Sequence, residues 1–231
     1  MIKSFRNIVF SYMPLMIVAH FLFPKIAKGQ QQDFQGIIGF SLEKKISPSF
    51  SVALLNQQLF NQNLTELGNA FIDAGINYKF INDISFGVNY RLIQQHSIEN
   101  IYHPRQMLYA DVSYSKSFQK ISATARGRIQ SSFYPLVIGD FKQPSVVYNR
   151  DRLTIRYRLN YYIIPFVYGE IWFPINHPTH AKIDRLRCAS GFYYNFNDHF
   201  KAQVYYSITH ELNQSNKKTN FATWIMCFFK L

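Results

Sequence analysis

Between Gln30 and Leu231 the chain alternates. In residues 151–159 the odd positions are Leu153, Ile155, Tyr157 and Leu159, and the even ones from Arg152 are Thr154, Arg156 and Arg158. A strand points successive side chains to opposite faces, so this segment has one greasy face and one face carrying three guanidinium groups. A helix would spread both sets around its circumference. The same two-residue period recurs along the chain. Ile72, Ala74, Ile76, Tyr78 and Phe80 oppose Asp73, Gly75, Asn77 and Lys79. Ile84, Phe86, Val88, Tyr90 and Leu92 oppose Ser85, Gly87, Asn89 and Arg91, the cleanest alternation in the sequence.

Eleven such segments can be counted, each of about 10 to 12 residues, the length a tilted membrane strand needs. Short turns separate them near Pro48, Asp83, Gln119, Asn160 and Asp198, and longer connections lie near Asn63, Ser97, Pro135, His177 and Ser215. Outer-membrane barrels alternate short turns and long loops in this way, and a sandwich has no reason to. Bacterial single-chain barrels also have an even number of strands. The expectation is therefore an all-β, up-and-down antiparallel transmembrane β-barrel of about 12 strands (10–12), with residues 133–141 as the candidate for an added one. No linker or second composition regime divides residues 30–231, which read as a single domain.

Which face lies outside separates two readings. In a soluble periplasmic or secreted barrel that binds a small ligand, Leu153, Ile155 and Val88 are buried. In a membrane barrel they face lipid and the arginines face the lumen. Composition suits the second, and it also suits a secreted β-sandwich. Aromatic residues are 17% of the chain and charged residues only 16%, against roughly 25% charged in soluble domains. After the N-terminus no run of about 20 apolar residues is present, so no spanning helix is expected there.

Residues 1–29 read as a cleaved secretory signal. Lys3 and Arg6 precede the mainly apolar residues 8–23, and Ala27-Lys28-Gly29 supplies small residues at the cut. The formal net charge is +12, of which Lys3, Arg6, Lys25 and Lys28 account for four, leaving +8 beyond the signal. Those charges are spread singly along strand-like segments, without a compact basic cluster or nucleic-acid motif, so no nucleic-acid partner is expected. Cys188 and Cys227 fall in different segments and read as two free thiols.

Five runs occur in order: FIDAGINYKF at 71–80, GVNYR at 87–91, YNRDRLTIRY at 148–157, PFVYGE at 165–170 and IDRLRCASG at 183–191. Together they resemble a family of uncharacterised outer-membrane β-barrel proteins common in Bacteroidota, a domain of unknown function. The resemblance covers nearly all of residues 30–231. It implies a barrel in the bacterial outer membrane, and it brings no activity and no catalytic residue. Members often have an aromatic such as Trp near the start of the mature chain, where this chain has Phe34 and Ile37.

Candidate chemistry lies on the polar face. By strand parity Arg91, Arg126, Arg128, Arg152, Arg156, Arg158, Arg185 and Arg187 share it with Asp111 and Glu170, and with Asp73 and Glu211. In a barrel these line the lumen. They either interlock as ion pairs that fill it, since buried charges must be paired or hydrated, or they form an anion-preferring passage or binding site. His177 and His180 have no Cys or clear carboxylate partner, so no metal is expected. Ser207 and His210 have opposite parity, which disfavours an outer-membrane lipid hydrolase. No phosphate loop, dinucleotide fingerprint or nucleophile elbow is present, so neither an enzyme nor a cofactor is expected. Tyr90, Tyr114, Tyr157, Tyr194 and Tyr206 read as an interfacial girdle. The ending Phe229-Lys230-Leu231 fits the signal that barrel-assembly machinery reads. The expected partners are that machinery and outer-membrane lipid.

Overall fold

The alternating segments are strands, joined edge to edge. The computed structural model describes residues 31–96, 101–133, 146–176, 183–212 and 218–231. The strands are β1 (Gln31–Lys45), β2 (Phe50–Asn61), β3 (Glu66–Lys79), β4 (Ile84–His96), β5 (Tyr102–Phe118) and β6 (Ile121–Phe133). They continue with β7 (Val146–Tyr157), β8 (Ile163–Pro174), β9 (Arg185–Asn195), β10 (Phe200–Glu211) and β11 (Lys218–Lys230). Each pairs antiparallel with the next, and β1 pairs with β11 to close the barrel.

The all-β, up-and-down barrel expected from the alternation is the observed architecture. The strand number differs slightly: eleven among the described residues, against about twelve expected. An odd number of up-and-down strands leaves the first and last pointing the same way. The seam between β1 and β11 is accordingly parallel, running from Gln31↔Lys218 to Glu43↔Lys230. Of the added strand considered at residues 133–141, Phe133 belongs to β6 and the rest lies outside the described residues. So do residues 1–30, including the expected signal, and His177 and His180.

Side-chain amides and hydroxyls hold the short turns. Asn160 Oδ1 accepts from the amides of Tyr162 and Ile163, and Asn197 Oδ1 from those of His199 and Phe200. Ser47 Oγ accepts from the amide of Phe50 at 3.1 Å. These residues mimic a backbone turn with a side chain, which is why they mark strand ends. The connection near Asn63 is tighter than the sequence suggests. Gln62, Asn63 and Leu64 all have left-handed backbones (φ 48°, 57° and 71°). Asp33 on β1 accepts from the Asn63 amide and Asn63 Oδ1 accepts from Phe34, tying this turn to the seam strand.

The greasy face points out. Val88 is 56% exposed and Leu153 54%, whereas Glu170 is 1% exposed. Phe40, Val52, Ile72, Val112, Ile129 and Ile225 join this exposed apolar surface. A continuous outward apolar face is far beyond what a soluble monomer shows. Outward aromatics concentrate at the short-turn rim. Phe50, Tyr78, Phe80 and Phe86 form one chain of contacts, and Tyr162, Tyr194, Phe196, Phe200 and Phe229 another. Tyr114, Tyr157 and Tyr194 sit near that rim, while Tyr90 and Tyr206 are mid-strand.

Inside, Phe166, Tyr168 and Ala189 form a buried cluster with Tyr193 and Tyr205. Gly191 makes this possible. It pairs with Tyr205, and a Cβ at Gly191 would come within 2.3 Å of the Tyr205 Cβ. The missing side chain lets Tyr205 lie across the strand and stack on Trp224 at 5.1 Å.

If the exposed row faces lipid, Leu153→Arg weakens the barrel by about 2–4 kcal/mol in phospholipid vesicles, read by urea titration. Unchanged stability would place Leu153 away from the hydrocarbon.

Candidate functional site: an arginine-rich lumen around Glu170

Register brings the charges together. Glu170 on β8 lies between Arg152 on β7 and Arg187 on β9. Arg126 on β6 pairs with Arg152, and Arg128 with Arg150. Like charges directly opposite each other are unfavourable, so these rows hold only if acids or other electron-rich groups lie among them. Glu170 is the central acid. Arg126 Nη2 reaches its Oε1 at 2.6 Å, and Arg150 Nη2 reaches both oxygens at 3.1 Å. Arg152 Nη2 stands at 3.1 Å and Arg187 Nη1 at 3.9 Å. Four guanidinium groups thus surround one fully buried carboxylate.

Two one-to-one pairs flank this hub. Arg128 binds Asp111 through Nε and Nη2 at 2.5 and 2.7 Å. Arg91 binds Asp73 in the same forked way at 2.6 and 2.7 Å, and the Tyr109 hydroxyl donates to Asp73 Oδ2 at 2.7 Å. Bidentate pairs are the strong form of this interaction. The band therefore holds six arginines and three carboxylates.

Aromatic faces take up part of the excess. Arg128 lies 3.8 Å from the Tyr109 ring centre, Arg150 4.1 Å from Trp172 and Arg152 4.3 Å from Tyr168. Arg187 stands between Trp172 and Trp224 at 5.1 and 5.7 Å. A ring face attracts a cation without competing for its N–H donors. Some donors are left over: Arg126 Nε, Arg150 Nε and Trp172 Nε1 are buried with no hydrogen-bond acceptor among the described residues.

Of the residues singled out by parity, Arg91, Asp111, Arg126, Arg128, Arg152, Glu170 and Arg187 meet in this band. Arg156 lies nearer the short turns, donating to Thr124 Oγ1 at 3.0 Å. Arg185 stands at the other end beside Asp184 at 3.2 Å, and Glu211 accepts from Asn220. Arg158 is past the end of β7, exposed in the turn. Ser207 faces inward and accepts from Trp224 Nε1 at 2.9 Å. His210 is exposed on the other face beside Thr219, so no Ser/His pair forms. Cys188 and Cys227 are both free. Among the described residues no three His, Cys, Asp or Glu side chains cluster as metal ligands.

Sequence reasoning missed Arg150 and the rings. Arg150 has the parity of Arg152, but Asp151 obscures it: Asp151 is charged yet sits on the outward row, which makes the strand look as though it starts there. Trp172, Tyr168 and Tyr109 also have inward parity. That parity was the available signal for their role as platforms for arginine.

Replacing Glu170 by Gln leaves its arginines without a counter-charge. Urea unfolding is expected to show a loss of about 3–5 kcal/mol for Glu170→Gln, and no measurable change for Lys116→Met, which removes an exposed pair with Asp83.

The chain is similar to a NanC porin structure (11% identity, TM-score 0.49, covering 76% of this chain and 86% of that one). It is also similar to the beta domain of the Bordetella autotransporter BrkA (8% identity, TM-score 0.43, 77% and 82%). A third is the translocator domain of the autotransporter NalP from Neisseria meningitidis (10% identity, TM-score 0.40, 76% and 72%). No curated protein sequence matches the chain. Residues 34–220 match the model of a family described as protein of unknown function, DUF2490, and the chain belongs to that family.

Proposed function

We propose that residues 1–29 direct export and are removed, and that the remainder is a bacterial outer-membrane barrel whose lumen is a narrow passage or binding site for small anions. One observation carries the anion preference: four arginines around the one carboxylate of Glu170, with further donors left without an acceptor among the described residues. Rings of arginine attract anions. The membrane location is supported by the exposed apolar rows at Val88, Leu153 and Ile155 and by a wall with no open edge. A soluble ligand-binding barrel needs those side chains buried. A lipid hydrolase needs Ser207 and His210 on one face. The partners of this reading are outer-membrane lipid and the barrel-assembly machinery.

A purely structural lumen is the second reading, favoured by the packing of Phe166, Tyr168 and Tyr205 along the inner wall. Planar-bilayer recording under a salt gradient separates the two. The passage reading expects a small conductance with an anion-selective reversal potential, which Arg152→Gln and Arg126→Gln each shift toward zero. A silent barrel, or a reversal potential that both variants leave unmoved, removes the passage and leaves the structural lumen.

A further inference from the structure

A second cationic site lies at the short-turn mouth, apart from the Glu170 band. β10 begins at Phe200, and its inward side chain nearest the turn is Lys201. Register places Lys201 opposite Phe228 on β11 and Asn195 on β9. Lys230, two positions beyond Phe228, pairs across the seam with Glu43. A cavity of about 120 Å³ opens here, lined by Asn195, Asn197, His199, Lys201, Phe228 and Lys230. Asp198 shares the rim, but its carboxylate already accepts from the Tyr161 hydroxyl at 2.5 Å.

Two of the cations at this mouth, Lys201 and Arg156, lie over aromatic rings. Lys201 Nζ stands 4.9 Å from the Phe228 ring centre and 5.5 Å from that of Tyr193. Arg156 reaches the same Tyr193 ring at 5.8 Å. Among the described residues, none of Arg156, Lys201 and Lys230 lies within ion-pair distance of a carboxylate. An ammonium group has three donors and no acceptor, and a ring face engages none of them strongly. Lys201 and Lys230 therefore bring positive charge and donor capacity to a half-open space, with Asn side chains beside them.

Size narrows the occupant. The cavity exceeds the ~30 Å³ share of a single water in the liquid and is smaller than the roughly 300 Å³ at which drug-sized ligand sites begin. We propose that it binds a phosphate group, with Lys201 and Lys230 as the charged contacts. Two sources share this chemistry. Free phosphate can reach the mouth from solution. A phospholipid headgroup can reach it from the outer surface, where Phe196, Phe200 and Phe229 stack at 4.7 and 4.8 Å beside the cavity. Aromatic side chains of this kind favour the headgroup level.

Calorimetric titration of the refolded full-length barrel with inorganic phosphate, in nonionic detergent, tests the site. The expected result is saturable binding that Lys201→Met and Lys230→Met each weaken at least tenfold. Lys201→Arg should retain it, and Lys116→Met, elsewhere on the same rim, should leave it unchanged. Repeating the titration in phosphatidylcholine vesicles with and without phosphatidylglycerol separates the sources. Equal affinity in both means that free phosphate is the ligand, and weaker affinity with phosphatidylglycerol means that its headgroup competes for the cavity. No saturable binding in detergent overturns the proposal, as does binding that survives both Met variants or falls equally with Lys116→Met.

Discussion

A wall with its apolar side chains outside has nothing beyond it to satisfy a loose backbone. Every strand edge must therefore find a neighbour, and the other features of this protein follow from that demand. Eleven strands leave two edges that run in the same direction, and the chain joins them by the slanted hydrogen bonds of a parallel pair. Parallel pairing is slightly weaker per residue than antiparallel pairing. The seam compensates by length, extending along nearly all of β1.

Closure moves the polar side chains into a confined space, where the usual logic of a core is inverted. The interior must satisfy charges rather than exclude them. Glu170 does this for four arginines at once, and Asp73 and Asp111 for one each. The remaining positive charge rests on Tyr168, Tyr109, Trp172 and Trp224. Those rings pack the lumen and temper its charge together, so the interior is both dense and electropositive.

Alternation makes most of the wall legible in the sequence. β4 is read almost residue by residue, and Asn160 and Asn197 mark their turns because their side chains complete them. The parity rule also separates Ser207 from His210 and puts Arg152 and Glu170 on one face. It does not reveal which arginines converge on which acid, because Arg126 and Glu170 lie two strands apart and meet only when the sheet curls. Nor does it reveal the strand number. The even-number habit of such barrels argues for another strand, whereas the seam needs only that β1 and β11 agree in direction. The sequence suggests a longer connection than the turn that Gln62, Asn63 and Leu64 form. Three consecutive left-handed residues without glycine give no composition signal, and the tie from Asp33 is long-range. The girdle expected of Tyr90, Tyr114, Tyr157, Tyr194 and Tyr206 fits the short-turn rim at Tyr114, Tyr157 and Tyr194 and fails at Tyr90 and Tyr206, which alternation puts on the outer face but mid-strand.

The parallel seam has a topographic consequence. A barrel with an even number of strands returns its backbone to the mouth where it began. Here the wall begins at Gln31 among the longer connections and ends at Lys230 beside the short turns. The polypeptide therefore crosses the sheet one net time, as a single-pass protein does, although it traverses it with every strand. A peptide joined directly ahead of Gln31 and one joined after Leu231 emerge on opposite sides of whatever the barrel spans, which makes the two ends of the wall separate addresses for display.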